Sequence, residues 1–222
     1  MILSFVALTH PLQSGFADQP LRILLSDVYA EGKGVAARGR VVQGFVKAGE
    51  KVVVLPIADE ATISNIHHLH SFSDLERQQY AVVGETVDLT ITGIESVRIS
   101  TGSILSRLDT DCRPPISKKC RAKIVVMDDL AIPIIRGAQL LFHIQSLDVP
   151  AVLTNLISTT KRSNNATKNR PRAVTSSSNA IVELTLFTPI CTEPFNQCRA
   201  LGRFVLWRSG ETVAVGIIEE VL

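Results

Sequence analysis

Apolar and polar positions alternate along most of this chain, in runs that are short and closely spaced. Thr86 to Ile91 is the cleanest case, with Val87, Leu89 and Ile91 on one face and polar residues between them. Leu21 to Tyr29 (after Pro20), Val35 to Val42, Lys51 to Leu55 and Ala61 to Leu69 read as strands in the same way. Ile104-Leu105 ends this series. Glycine-bearing turns separate the runs, at Glu31-Gly32-Lys33-Gly34 and between Gln43 and Glu50. A second series begins at Cys120: Arg121 to Val126, Gln139 to Ile144, Ala151 to Ile157 and Ala180 to Leu186. No long segment carries a 3.6-residue period. Short strands at even spacing with glycine turns predict an all-β chain made of closed barrels or sandwiches.

The C-terminal stretch Leu201 to Val221 predicts a hairpin. Phe204, Leu206 and Arg208 share one face, Val205 and Trp207 the other, and Ser209-Gly210 supplies the turn. Thr212 to Ile218 is nearly continuously apolar, the pattern of a strand buried on both sides. Asp109 to Lys119 is polar and contains Pro114-Pro115, which reads as a stiff linker. Ser158 to Asn179 is the most polar piece. It carries Lys161, Arg162, Lys168, Arg170 and Arg172 with no acid. A loop of this length is expected to be functional or disordered.

Composition adds little to this picture until charge is resolved along the chain. An apolar fraction of 45% and a charged fraction of 20% are ordinary for a globular protein, and no run is long enough for a membrane span. Met1 to Leu8 is apolar but has no basic flank, so it reads as a tail rather than a signal peptide. Residues 1–110 hold nine Lys/Arg against twelve Asp/Glu, whereas residues 111–222 hold fourteen against nine. The basic second half suits an acidic partner, RNA or protein. Cys112, Cys120, Cys191 and Cys198 form no CxxC pair, which points to reduced thiols and a cytoplasmic location.

Catalytic chemistry finds no foothold. His67, His68 and His70 lie near Asp74 and Glu76, but His67 and His68 alternate faces on a strand, so no metal site is expected. His143 sits in the apolar run Leu140 to Ile144 and reads as a core or interface histidine. There is no G-x-S-x-G and no G-x-x-x-x-G-K-[ST]. Catalytic, nucleotide-binding and metal residues are therefore all expected to be absent. The Arg170-Pro171-Arg172 triplet remains, because proline holds the two flanking guanidinium groups in a defined relation.

These residues carry a resemblance. Pro20-Leu21-Arg22, Asp27-Val28-Tyr29, Gly39-Arg40-Val41 with Gly44, and Lys47-Ala48-Gly49-Glu50 resemble the opening of the first β-barrel after the GTPase domain in translational GTPases of the elongation factor Tu class. Pro189-Ile190-Cys191 with Glu193, Leu201-Gly202-Arg203-Phe204, Thr212-Val213-Ala214 and Gly216 resemble the closing strands of the second. Ile132 to Gly137, Leu140 to His143 and Pro150-Ala151-Val152 look like the Hbs-type ribosome-rescue branch. The GTPase subunit of the eukaryotic release factor is the nearest alternative.

The resemblance implies two consecutive antiparallel β-barrels. The expected boundaries are an unmatched tail at 1–18, a first barrel at 19–108, a linker at 109–119 and a second barrel at 120–222. The GTPase domain falls outside the resemblance, which suggests a truncated or alternative product, or a fragment. GTP is expected only on a longer product that carries that domain. The first barrel is expected near the small ribosomal subunit and its rRNA. The second is expected to bind a Pelota-type, release-factor-like protein, through Arg170 and Arg172 first, with Arg136 and His143 as further candidates. Arg203, in the Gly-Arg-Phe motif, is either a strand-pairing arginine or a contact. The expectation is thus a cytoplasmic, monomeric, non-catalytic docking module acting in rescue of stalled ribosomes and mRNA surveillance. An rRNA-binding barrel that uses the basic segment is the other reading.

Overall fold

Period-two alternation gives each strand one apolar face, and a sheet closed on itself turns that face inward without leaving an edge. The computed structural model describes residues 19–31, 34–68, 79–163 and 165–222. The chain divides into two compact units, Met1–Arg113 and Pro114–Leu222. Both are built almost wholly of antiparallel strands.

In the first unit the strands are β1 (Arg22–Glu31), β2 (Gly34–Gln43), β3 (Phe45–Lys47), β4 (Lys51–Leu55), β5 (Asp59–His68), β6 (Tyr80–Val82), β7 (Thr86–Thr92) and β8 (Ile104–Arg107). Six of them close a barrel in the order β1-β2-β7-β5-β4-β8, and β3 pairs with β6 beside it. Ile23, Ala37, Val52, Ile63, Leu89 and Leu105 are buried in its core. Around the wall, Arg38 on β2 forms a two-point ion pair with Asp88 on β7, at 2.8 and 3.1 Å.

The second unit contains β9 (Ile116–Val126), β10 (Ile134–Ile135), β11 (Gln139–Ile144), β12 (Leu147–Lys161), β13 (Thr167–Asn169), β14 (Ala173–Val174), β15 (Ser178–Cys191), β16 (Arg203–Arg208) and β17 (Glu211–Val221). The order β11-β16-β17-β9-β15-β12 is closed by β11 pairing with β12, which makes a second six-stranded barrel. β13 adds to the far end of β12, and β10 pairs with β14 outside the ring. Phe142 and Phe204 stack at 4.4 Å in the core, beside Ile124, Leu153 and Leu184.

Three expectations change. Ile116 to Lys119 fell in the expected linker but open β9, where Ile116 pairs with Cys191. The C-terminal strand is not buried on both sides: Val213, Ala214 and Ile218 face the core, while Val215 is 41% exposed. A barrel wall offers each strand a single inner face, so Val215 points outward, while Val221 at the strand's end still packs against the core. The polar segment Ser158 to Asn179 is not one loop. It contains the end of β12, then β13 and β14, then the start of β15. The histidine–carboxylate cluster reaches beyond the described residues, since His70, Asp74 and Glu76 lie outside them. Among the described residues no group of three His, Cys, Asp or Glu could hold a metal ion, and no helix is long and apolar enough to cross a membrane.

Two consequences of this packing are measurable. Gly216 pairs with Phe204 across β16 and β17, and a Cβ there would lie 2.4 Å from the Phe204 ring. Gly216→Val is expected to overpack the core and cost about 2–3 kcal/mol, read as a lower urea midpoint at unchanged slope. A loss below about 0.5 kcal/mol would show that the ring can move aside. Burial pushes the Cys120 thiol from 9.0 up to about 12. The unfolded thiol ionises first as pH rises, so this group's contribution to stability is complete below pH 9 and is lost between there and about 12. Cys120→Ala is expected to flatten the alkaline decline in stability, a slope of up to about 1.4 kcal/mol per pH unit for one group. Parallel wild-type and Cys120→Ala curves over that range would count against it.

Candidate partner-binding surface

β12 and β15 pair along nearly their whole length, from Ala151↔Leu186 to Lys161↔Ser178. The chain between Lys161 and Ser178 therefore leaves the barrel as an excursion. Its first part folds back as β13, in the register Ser158↔Asn169 to Thr160↔Thr167, with the two threonine hydroxyls 2.9 Å apart. Arg170 then turns the chain. Its φ is +46°, and its N–H donates to Ile157 O at 2.8 Å. Pro171 is buried, whereas Arg170 and Arg172 are exposed on either side of it. The proline thus anchors the triplet and leaves both guanidinium groups in solvent.

β14 then pairs with β10 in the register Ile135↔Ala173 and Ile134↔Val174. Ile134 and Val174 are fully buried. Arg136 follows Ile135 and Arg172 precedes Ala173, so both flank the same end of this two-pair ribbon. Arg136, Arg170 and Arg172 are all exposed and form no ion pair among the described residues. Arg136 and Arg170 line a groove of about 810 Å³ together with Arg121, Ile157, Pro171 and Glu219. Arg121 is held in place, at 3.1 Å from Glu183 and 2.7 Å from Glu220. Two unpaired guanidinium groups beside an apolar floor, with a third on Arg172 next to Pro171, are suited to hold carboxylates by forked hydrogen bonds.

The excursion's other cations are differently employed. Arg162 donates to Val126 O at 2.9 Å and pairs with Asp128, so it is structural. Lys168 is exposed on β13.

His143 and Arg203 lie elsewhere. They line a second cavity, of about 590 Å³, with Val125, Val205, Val215 and Ile217. His143 is half-buried, stacks on Trp207 at 5.0 Å between ring centroids and approaches Asp148 Oδ1 at 2.5 Å through Nδ1. Arg203 is exposed and donates to Arg199 O at 3.1 Å. The five candidate residues thus form two clusters. Sequence reasoning missed Arg121 and the outward valines. Arg121 was detectable only by its phase on β9, and the valines only by treating the apolar run of β17 as two faces.

Two consecutive six-stranded antiparallel barrels are the architecture of the barrel domains of translation factors. Residues 119–219 match the family described as GTP-eEF1A C-terminal domain-like. Protein HBS1 of Drosophila melanogaster is 31% identical over 206 residues, covering 92% of this chain and 30% of that protein. Elongation factor 1-alpha of Pyrobaculum arsenaticum is 32% identical over 209 residues, covering 92% and 45%. A solved structure of sup35 complexed with GDP superposes with a TM-score of 0.81 at 23% identity, over 93% of this chain and 48% of that one, a likeness of fold. The chain is similar to translational GTPases such as HBS1 and elongation factor 1-alpha. It corresponds to their C-terminal, barrel-bearing part and spans less than half of their length.

The left-handed backbone at Arg170 offers a way to separate contact from scaffold. Glycine adopts that φ without strain, so Arg170→Gly is expected to leave stability within about 0.5 kcal/mol of wild type. The measurement is the urea midpoint of the second unit. A larger loss would mean that the Arg170 side chain itself supports the excursion.

Proposed function

We propose that the second barrel is a docking module for a Pelota-type, release-factor-like protein, and that the chain acts as the barrel part of an Hbs-like factor in the rescue of stalled ribosomes and mRNA surveillance. The observation that carries this reading is the shelf: Arg136, Arg170 and Arg172 are unpaired and held by backbone pairing before any partner arrives. A preorganised site loses less ordering entropy on binding than a flexible loop. The branch assignment rests on Ile132 to Gly137, Leu140 to His143 and Pro150 to Val152, because identity to HBS1 and to elongation factor 1-alpha is nearly equal, at 31% and 32%. The barrels of the release factor's GTPase subunit remain the alternative within the family. In this reading the barrels dock in the cytoplasm, the first facing the small ribosomal subunit. GTP chemistry belongs to a P-loop domain, whose motif residues 1–222 do not contain.

The lining of the groove favours a protein over RNA. Glu183 and Glu219 share it with the arginines, and Leu156, Ile157 and Pro171 give it an apolar floor. A polyphosphate chain would meet those carboxylates, whereas a folded partner can match both signs and cover the apolar residues. Aromatic side chains for base stacking are absent from Ser158 to Asn179.

The test is titration of the chain with a Pelota-type protein, with the release-factor protein and with an rRNA hairpin as competitors. Arg170→Glu with Arg172→Glu is expected to weaken the first complex by about 100-fold or more, since reversal both removes hydrogen bonds and adds repulsion. Undetectable binding by wild type, or equal binding by the double variant, would remove the proposal. Tighter binding of the hairpin, with a steep salt dependence, would establish the RNA reading instead.

A further inference from the structure

We infer that Asp128 is a positioning residue for the arginine shelf: its carboxylate clasps together the two chain segments that enter the β10–β14 ribbon. The inference rests on the shelf being the docking site, but the clasp itself can be tested without a partner.

The ribbon contains only two residue pairs, and so short a two-stranded ladder is marginal alone. Its register nevertheless decides where Arg136 and Arg172 stand, because each follows or precedes a paired residue. One segment enters β10 from the end of β9, through Met127 and Asp128. The other leaves β14 toward β15, through Ser177. The structure ties these segments at three points. Ser177 N–H donates to Met127 O at 3.3 Å. Ser177 Oγ donates to Asp128 Oδ1 at 2.8 Å. Arg162 reaches the same Asp128 oxygen while donating to Val126 O at 2.9 Å, and its N–H donates to Ser177 O at 3.1 Å.

Asp128 therefore joins, through Arg162 and Ser177, the segment after β9 to the neck of the excursion after β12 and to the return into β15. An exposed ion pair alone contributes little. Here one carboxylate oxygen receives two donors whose backbones are already linked, so little further ordering is required for each bond. Ser177 holds a φ of +53°, a conformation that costs energy and persists where its surroundings hold it. Losing the carboxylate removes two of the bonds that hold the end of the ribbon opposite the arginines, leaves the backbone bonds of Ser177, and makes the two pairs easier to open.

The experiment uses the full chain with Asp128→Ala, and Asp128→Asn as a variant that can keep the Ser177 bond. Amide hydrogen exchange is measured at Ile135 and Ala173 in the ribbon and at Ile124 and Val182 in the barrel wall. Asp128→Ala is expected to speed exchange in the ribbon by about threefold to tenfold, the scale of one net hydrogen bond, and to leave the wall unchanged. Asp128→Asn should fall between Asp128→Ala and wild type. Unchanged ribbon exchange, or equal acceleration in the wall, would overturn the inference.

A second arm measures affinity for the Pelota-type protein in a double-mutant cycle with Arg172→Ala. Asp128→Ala should weaken binding in the wild-type background and have little effect once Arg172 is removed. Full additivity would show that Asp128 does not act through the shelf. If wild type binds no partner, the docking proposal falls, and the exchange arm still decides the clasp.

Discussion

Everything in the second unit depends on one pairing, the ladder between β11 and β12 from Gln139↔Val152 to Ile144↔Leu147. Without it the sheet would be open, with β11 and the inner length of β12 as bare edges. Closure gives every wall strand two neighbours and one inner face. It also sets a length limit. β11 and β16 have six residues each, whereas β12 has fifteen and β15 fourteen. Past Val152, β12 has no β11 beside it; it stays paired with β15, keeps Leu153 and Leu156 in the core, and takes β13 on the edge that β11 has left. The arginine triplet follows β13, which folds the chain back along β12 as far as Ile157. Its exposure follows from barrel geometry, and its order follows from strand pairing.

An excursion outside the core must be held by means other than apolar burial. Of the six non-glycine residues with positive φ among the described residues, Asn165, Arg170 and Ser177 lie between β12 and β15. Each marks a change of direction, and each bend has its own backbone bond: Asn165 to Lys161 O, Arg170 to Ile157 O and Ser177 to Met127 O. Left-handed conformations cost energy, so they persist where such bonds over-determine them. Pro171 and Val174 add two small buried anchors. Between these points the side chains are free to be polar, which is what a contact surface requires.

The barrels were legible because a half-buried strand writes its period into the sequence. β7 alternates as read, and β2 and β11, read as strands, alternate too, with inner positions buried and outer ones partly open. The excursion was not legible for the same reason. A strand with solvent on both sides has no apolar period, so Ser158 to Lys161 and Thr167 to Asn169 looked like loop. Their β-branched threonines were the remaining signal. The C-terminal strand failed in the opposite sense, since apolar residues on both faces imitate full burial. That Arg136 and Arg172 flank the same end of one ribbon arises from two pairs between segments about forty residues apart. Neither period nor propensity reports a contact of that range.

The division of the candidate residues follows from strand β9. Its outward positions change character along the strand, from Arg121 to Lys123 to Val125. Arg121 joins the groove with Arg136 and Arg170, whereas Lys123 and Val125 join the cavity with His143 and Arg203. Within the second cavity, the cross-strand row His143↔Val205↔Val215↔Val125 is apolar but for its first member. The first surface is suited to forked ion pairs and the second to apolar contact. Salt therefore acts unequally on them: screening weakens attraction at the exposed arginines, while burial of valine against an apolar partner responds little. His143 and Arg203 belong to that second chemistry, and the unpaired arginines of the shelf belong to the first.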